Sequence, residues 1–336
     1  MKQQLRFFVK LSLISVYVIF LAGSVVRMTG SGMGCPDWPK CFGYYIPPTS
    51  EAEITWQPNT TYNKGIILVK DKALFVAQEK MTTGDAFNPS AWKKYTKHSY
   101  AVFNKYHTWT EYINRLASAV SGIFFVLLLL SAVKYRKENK EIPLLAFGAF
   151  FLMLFEAWLG KTVIDSNLDP TIITIHMVAG LVIIGLLVRL LFVVQPQEKA
   201  HTYHPVFNKL LVLTVLFSLA QIALGTQVRQ FIDTQVQLLG FENKEFHLLH
   251  PNLKFYIHRS FTVAIVLVNL ALLYFNQLKN LGYRLVNWIV AIIFLEALTG
   301  ILMYYADFPM GTQAIHLLAG AVLFGLQCYL WLQSRK

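Results

Sequence analysis

The chain has 336 residues, of which 55% are apolar and 14% are charged, and its mean hydropathy is +0.46. These values exclude an ordinary soluble globular protein and predict an integral membrane protein. The formal net charge of +12 is accounted for by membrane topology and by anionic headgroups of the lipid bilayer, so we expect no nucleic-acid partner.

Eight apolar segments are long enough to cross a bilayer as helices, which takes roughly 20 residues. They are 8–26, 112–133, 142–160, 172–194, 210–228, 255–275, 285–304 and 313–332. We therefore predict an all-α integral membrane protein with eight transmembrane helices and a long outer loop, 28–109, after the first helix.

Basic residues precede the first span and follow the second, fourth, sixth and eighth. By the positive-inside rule these segments and both termini face the cytoplasm. No A-x-A-like cleavage site follows the first apolar run, and no Arg- and Ser-rich transit peptide is found, so we expect a bacterial inner membrane. The basic residues are Lys2, Arg6, Lys10, Lys134, Arg136, Lys137, Lys140, Lys199, Lys209, Lys279, Arg284, Arg335 and Lys336.

The outer loop begins MTGSGMGCPDWPKC and is polar and aromatic. Its segment 62–76 is expected either to pair as strands or to cover a site. Cys35 and Cys41 lie in an oxidising compartment, where a disulfide or a redox-active pair is allowed, whereas no further ligands at suitable spacing indicate zinc. Cys328, in the last span, is expected to be an inert small hydrophobe.

An internal repeat divides the chain. The third and fourth spans contain FEAWLG and IHMVAG, and the seventh and eighth contain LEALTG and IHLLAG. The first and fifth spans end GSVVR and GTQVR, and the second and sixth open EYINR and FYIHR. An even number of spans per unit makes the repeat parallel. We predict two parallel-repeat four-helix bundles, 1–197 and 203–336.

Three histidines, His176, His258 and His316, lie near the outer ends of their spans. Ionisable residues inside spans are costly and usually functional. Two histidines at one depth on different helices of a bundle can supply both axial ligands of a haem iron. We predict this role for His258 and His316, against a hydrogen-bonded packing role for a lone histidine.

The first half departs from this pattern because Asn114 stands where the second half has His258. An amide is a poor haem ligand, so the first pocket has His176 and an open iron face. His107 is the nearest substitute, but it lies about 10 Å above Asn114 along the helix axis.

Further polar residues flank these positions. Glu111, one turn outward of Asn114, is either a membrane-edge carboxylate or a carboxylate above a porphyrin edge. Arg115 and Arg259 are either interface anchors or partners of haem propionates, and the second reading is favoured. The repeated Glu156 and Glu296 either hydrogen-bond within the bundle or line a proton path.

The residues together resemble the haem A synthase family over the whole chain. The resemblance rests on GSVVRMTGSGMGCPDWPKC, TEYINRL, YIHR and the two histidine-glycine motifs. It implies oxidation of the C8 methyl of haem O to a formyl group, through hydroxylated intermediates, to make haem A for terminal oxidases.

The resemblance also implies site residues. Haem b would be the cofactor, held by His258 and His316, with haem O as substrate near His176, Glu111 and Asn114. The family commonly has histidine where this chain has Asn114, so a bis-histidine substrate site is not expected unless His107 replaces it. The family's disulfide carries over to Cys35 and Cys41, as a lid over the substrate half or as a redox catalyst, whereas the second cysteine pair of other members is missing.

Two other classes share parts of the pattern. A di-haem b-type membrane cytochrome exchanging electrons with quinone would need four axial ligands and no glycine-cysteine loop. A parallel-repeat transporter would need interrupted spans, which we do not see. Expected partners are the haem O synthase (protohaem farnesyltransferase), cytochrome oxidase assembly factors and a second copy of the chain.

Overall fold

The structure is a computed structural model that describes residues 2–71, 73–96, 103–196 and 202–335. Within these ranges, eight helices are long and apolar enough to cross a membrane, which confirms the prediction of an all-α membrane protein. They are α1 Lys2–Met28, α2 Lys105–Val133, α3 Glu141–Asp165, α4 Pro170–Val194, α5 Pro205–Leu239, α6 Leu253–Leu278, α7 Leu285–Tyr305 and α8 Thr312–Gln333. The predicted bundle boundary at 197, with Lys199 and Lys336, lies outside the described residues.

Several helices are longer than the apolar windows. α2 begins at Lys105 because the Asn104 side chain accepts hydrogen bonds from the backbone N–H groups of Tyr106 and His107, at 2.9 and 3.3 Å. α5 continues to Leu239 and ends before Gly240, whose φ is +90°. The helix is thus longer at both ends than the predicted span 210–228, since hydropathy marks only the membrane-embedded part of a helix.

The described part of the first outer segment contains five strands, β1 Thr61–Tyr62, β2 Ile67–Lys70, β3 Ala73–Ala77, β4 Met81–Thr82 and β5 Trp92–Lys94. β1 pairs with β4, and β2, β3 and β5 form a second antiparallel sheet. β2 and β3 pair with Ile67 opposite Val76, which confirms that 62–76 forms strands. Short 3-10 helices lie at Glu51–Glu53, Pro89–Ala91 and Lys244–Phe246.

The membrane helices pack as two neighbouring groups. α1 to α4 contact each other in chain order with α1 also against α4, and α5 to α8 do the same with α5 against α8. α1 and α4 contact α8, and α4 contacts α5, so these helices form the seam between the halves. The repeat itself remains an interpretation of the sequence motifs.

Candidate functional site

His258 and His316 face each other across the outer part of the second half. Their ring centroids are 6.4 Å apart and the ring planes are inclined by 72°. An iron between two imidazoles would place the centroids about 6 Å apart, since metal–imidazole bonds are about 2 Å long. The separation of the two rings therefore suits a bis-histidine haem site, and the role of His258 and His316 as iron ligands stays a prediction.

Contacts from α7 orient His316. Its Nδ1 lies 3.0 Å from Oε2 of Glu296 and 2.9 Å from Oγ1 of Thr299. Metal-bound histidines usually have the second ring nitrogen held by a carboxylate or another polar group, which fixes the tautomer and the ring plane. The contacts on Nδ1 leave Nε2 as the nitrogen that can bind iron.

The surroundings of His258 leave room for its ring. A Cβ at Gly225 would lie 3.2 Å from Cε1 of His258, closer than ordinary contact, so glycine there accommodates the imidazole. Gln221 donates hydrogen bonds to the His258 carbonyl at 3.0 Å and to the Thr262 hydroxyl at 2.8 Å. Nδ1 of His258 is buried without a hydrogen-bond partner among the described residues, as expected for a ring whose partner is a bound group.

The first half repeats one side of this arrangement. Nδ1 of His176 lies 2.6 Å from Oε2 of Glu156. Asn114, which the repeat motifs align with His258, has a buried Oδ1 without a hydrogen-bond partner in the described part of the chain, and this atom lies 3.9 Å from where a Cβ at Gly23 would be. Among the residues that the structure describes, the first half therefore has a counterpart of His316 but not of His258.

The Glu–His pairs were not predicted as pairs, although the sequence contained the signal. Both glutamates lie 20 residues before their histidine, as the numbering of Glu156 and His176 and of Glu296 and His316 shows. Two antiparallel helices joined by a short turn bring such positions to one depth. An equal separation in both halves indicates a shared contact across neighbouring helices.

Glu111 is held between α2 and the disulfide loop, which we define as residues 34–43. It is only 3% exposed. Its Oε2 accepts a hydrogen bond from the backbone N–H of Cys35 at 2.9 Å, and its Oε1 lies 2.5 Å from Nη2 of Arg115. Cys35 and Cys41 form a disulfide, as predicted. Glu111 therefore connects the first pocket to this loop.

Arg115 and Arg259 occupy equivalent positions but differ in their contacts. Nη1 of Arg115 donates to the carbonyls of Asp37 and Lys40, both at 2.8 Å. Arg259 is exposed, and its guanidinium carbon lies 5.5 Å from the ring centroid of Tyr256; no carboxylate pairs with it among the described residues. Arg115 is thus engaged by the disulfide loop, whereas Arg259 is available to an acidic ligand.

The disulfide loop lies directly on the first turn of α2. A Cβ at Gly34 would be 2.5 Å from the carbonyl carbon of His107, so only glycine fits there. The Thr108 hydroxyl donates to the Gly34 carbonyl at 2.8 Å. The His107 imidazole makes no hydrogen bond or ion pair with other described residues, and its backbone lies under the loop, a position outward of Asn114.

Asp37 is a partly buried acid within the same loop. Burial raises its pKa, and the backbone N–H groups of Gly43 and Phe42 and the charge of Arg115 offset part of the increase. The Gly43 N–H donates to its Oδ2 at 2.9 Å, while Oδ1 has no partner within the described residues. The fold therefore stabilises the protonated form of this carboxyl group.

A charged cluster at the seam was missed by the sequence reasoning. Asp233 on α5 lies 2.5 Å from Nη2 of Arg27 and 2.8 Å from Nη2 of Arg229. Arg229 also donates to the Arg27 carbonyl at 3.1 Å and to Gln313. The two arginines end the matching motifs GSVVR and GTQVR, but Asp233 lies beyond the predicted fifth span, 210–228.

Comparison with known proteins covers nearly the whole chain. The COX15-CtaA family model, described as cytochrome oxidase assembly protein, matches residues 6–83 and 79–328. A relative from Alkalihalophilus pseudofirmus, named haem A synthase, is 22% identical over 98% of this chain and 97% of its own length. A relative from Listeria welshimeri with the same name is 22% identical over 100% of this chain and 97% of its own length. A third relative of that name, from Shewanella oneidensis, is 23% identical over 66% of this chain and 56% of its own length.

Proposed function

The chain belongs to the COX15-CtaA family of cytochrome oxidase assembly proteins, and on this premise we propose that it is a haem A synthase. It is a multi-pass membrane enzyme of haem A biosynthesis. The proposed reaction is oxidation of the C8 methyl of haem O to a formyl group through hydroxylated intermediates. The observation that carries the proposal is the His258–His316 pair, with ring centroids 6.4 Å apart at the outer end of the second half.

The proposed cofactor is haem b, ligated by His258 and His316. When bound, haem b supplies one-electron transfer. Glu296 and Thr299 hold the His316 ring, and Gly225 gives room to His258. Arg259, exposed among aromatic rings and without a carboxylate partner among the described residues, is suited to a haem propionate.

The proposed substrate site lies in the first half. His176, oriented by Glu156, would bind the iron of haem O on one side. Asn114, at the position that His258 has in the second half, would supply no strong ligand on the other side, so the substrate would be held by one histidine. His107, whose backbone lies under the disulfide loop, would approach this site only after a change in that loop.

Glu111 is the proposed catalytic carboxylate. A fixed negative charge beside the porphyrin edge stabilises positive charge that develops during oxidation of the methyl group. The Arg115 guanidinium and the Cys35 N–H hold the carboxylate in one position. The Cys35–Cys41 loop serves as a lid over the substrate half, since it packs directly on the outer turn of α2.

The proposed topology follows from the charge pattern. Both termini would face the cytoplasm of a bacterial inner membrane, with both haem sites toward the outer face. Haem O would come from the haem O synthase, and haem A would pass to oxidase assembly factors. We also propose a homo-oligomer as the working form. The di-haem cytochrome is not favoured, because Asn114 leaves the first pocket without a fourth histidine ligand and the relatives are named haem A synthase.

Co-expression with a haem O synthase in a host that lacks haem A tests the function. Extracted haems are separated and identified by mass. We expect haem A and its hydroxylated precursor in cells with the protein, and haem O alone in cells that carry the inactive His176→Ala variant at the same membrane level. Absence of both products with correctly inserted wild-type protein would refute the proposed activity.

A further inference from the structure

A column of buried polar side chains runs through the second half below the His258–His316 pair. Ser218 on α5 is 3% exposed, Asn269 on α6 is 1% exposed and Gln327 on α8 is 0% exposed. Gln221, one turn outward of Ser218, is partly buried. Uncharged polar side chains in the interior of a transmembrane bundle are costly unless they are hydrogen-bonded.

The column begins at the candidate haem site and leads inward. Gln221 bonds to the His258 carbonyl at 3.0 Å, which places the upper end beside the proposed ligand. Asn269 lies eleven residues after His258 on α6, a distance of about 16 Å along the helix. Gln327 lies eleven residues after His316 on α8, and its Nε2 is 3.5 Å from Oδ1 of Asn269. The lower end is therefore near the middle of the bundle.

Several polar atoms of the column have no hydrogen-bond partner among the described residues. Oγ of Ser218, Oε1 of Gln221 and Oε1 of Gln327 are buried and have no hydrogen-bond partner within the described ranges. Buried polar atoms in native proteins nearly always have partners, and ordered water supplies those that the chain does not. These atoms lie on α5 and α8, and the Asn269 amide of α6 adjoins Gln327, so the column offers polar contacts of the kind that an internal water needs, two to four per molecule.

The first half shows that the fold does not require these residues. The repeat motifs align Ser218 with Val16, Asn269 with Phe125 and Gln327 with Leu187. Val16 is 3% exposed, and Phe125 and Leu187 are fully buried in an apolar core. The same positions are therefore packed with apolar side chains where a substrate is proposed to bind, and with polar ones where a resident cofactor is proposed.

Apolar residues close the lower end of the column. Phe207, Leu211 and Leu272 are fully buried and belong to one core cluster near the cytoplasmic ends of the helices. Water in the column would thus exchange with the pocket around His258 and not with the cytoplasm.

We propose that Ser218, Gln221, Asn269 and Gln327 bind a file of ordered water molecules that extends from the haem b pocket into the second half. This inference rests on the proposed function, because it places haem b at His258 and His316. A bis-histidine haem carries one more positive charge when oxidised than when reduced. Water dipoles and amide groups stabilise the oxidised form, so the column lowers the reduction potential of the cofactor.

The decisive variant copies the first half into the second, as Asn269→Phe with Gln327→Leu. Redox-difference infrared spectra are recorded on haem-loaded protein in ordinary and in oxygen-18-labelled water, together with a spectroelectrochemical titration. The wild type is expected to show isotope-sensitive water bands. The double variant is expected to lose them, with a shift of the b-type midpoint potential to a more positive value.

Two further variants keep the outcome interpretable. Gln327→Met preserves side-chain volume and serves if the double variant does not fold; it should weaken the water bands and shift the potential in the same direction. Ser121→Ala, which removes a buried hydrogen bond to Ser15 of 2.7 Å in the first half, should change neither. A b-type spectrum without isotope-sensitive bands, or with bands that persist in both second-half variants, would overturn the water file alone. Absence of b-type haem from the wild type would refute the proposed cofactor site and the inference with it.

Discussion

The carboxylate of Glu111 accepts a hydrogen bond from the backbone N–H of Cys35 at 2.9 Å. One carboxylate on α2 thus holds the disulfide loop and lies one turn outward of Asn114 in the proposed substrate pocket. The same side chain is paired with Arg115. Loop position and the charge near the substrate are therefore coupled through Glu111.

Glu111→Gln separates these two roles. The amide oxygen still accepts from the Cys35 N–H, but the negative charge is lost. We expect haem A formation to fall about 100-fold or more, the usual cost of removing an electrostatic stabiliser, while the b-type spectrum remains. Product is measured by mass analysis of extracted haems. In Glu111→Ala, haem A formation should fall as far, and the disulfide loop should also become looser. Activity near the wild-type level in Glu111→Gln would leave Glu111 with a structural role only.

Arg115 and Arg259 make a matched pair for a second prediction. Arg115→Gln removes the two hydrogen bonds to the Asp37 and Lys40 carbonyls and should speed amide exchange in the disulfide loop several-fold, with haem b retained. Arg259→Gln should leave loop exchange unchanged and increase loss of haem b during purification. Hydrogen–deuterium exchange and the haem-to-protein ratio measure the two effects. Equal behaviour of the two variants would contradict the division of roles.

Replacement of the proposed ligands gives a third prediction. His258→Ala and His316→Ala should each abolish the low-spin b-type spectrum, because each would remove one of the two histidines that are proposed to hold the haem iron. Asn114→Ala should preserve it, since Asn114 lies in the other half. Glu296→Gln is expected to keep the haem with a shifted midpoint potential, because it changes the group on Nδ1 of His316. Optical and electron paramagnetic resonance spectra measure these effects. Retention of the low-spin b-type spectrum in both histidine variants would refute the ligand assignment.

Asp37 provides a pH prediction outside the membrane. Burial raises the pKa of Asp37 in the folded loop above the ordinary aspartate pKa of about 4. At pH values between these two pKa values, the folded state therefore binds more protons than the unfolded state. The contribution of Asp37 to stability is therefore present below the ordinary value and is lost as pH rises through the folded pKa. Asp37→Asn should remove this dependence. Loop amide exchange is measured against pH for both proteins, and parallel profiles would contradict the prediction.

The sequence predicted those features that depend on neighbouring residues in the chain. Hydropathy located all eight helices, and the repeated histidine motifs placed His258 and His316 at one depth. It did not predict how Arg115 and Arg259 differ, because the difference arises from the disulfide loop, which packs over Arg115 from about 75 residues earlier in the chain. The extension of α5 was missed because its last turns mix apolar residues such as Ile232 and Val236, which pack in a core cluster, with polar ones, so their mean hydropathy is too low to predict a membrane span. The role of Asp233 was not predicted for the same reason, since it lies in that extension.

Asp233 gives the last prediction, about how the halves are joined. It forms ion pairs with Arg27 from the first half and Arg229 from the second, so Asp233→Asn leaves two neighbouring guanidinium groups without the carboxylate that they share. All three side chains retain some solvent exposure, so the expected loss is about 1–3 kcal/mol, less than the 3–5 kcal/mol of a fully buried pair. Thermal unfolding in detergent should show a lower midpoint for Asp233→Asn and a smaller decrease for Arg27→Gln, which leaves the Asp233–Arg229 pair intact. Restoration of the midpoint by Asp233→Asn combined with Arg27→Gln would confirm that repulsion is the cause, and an additive loss in the double variant would exclude it.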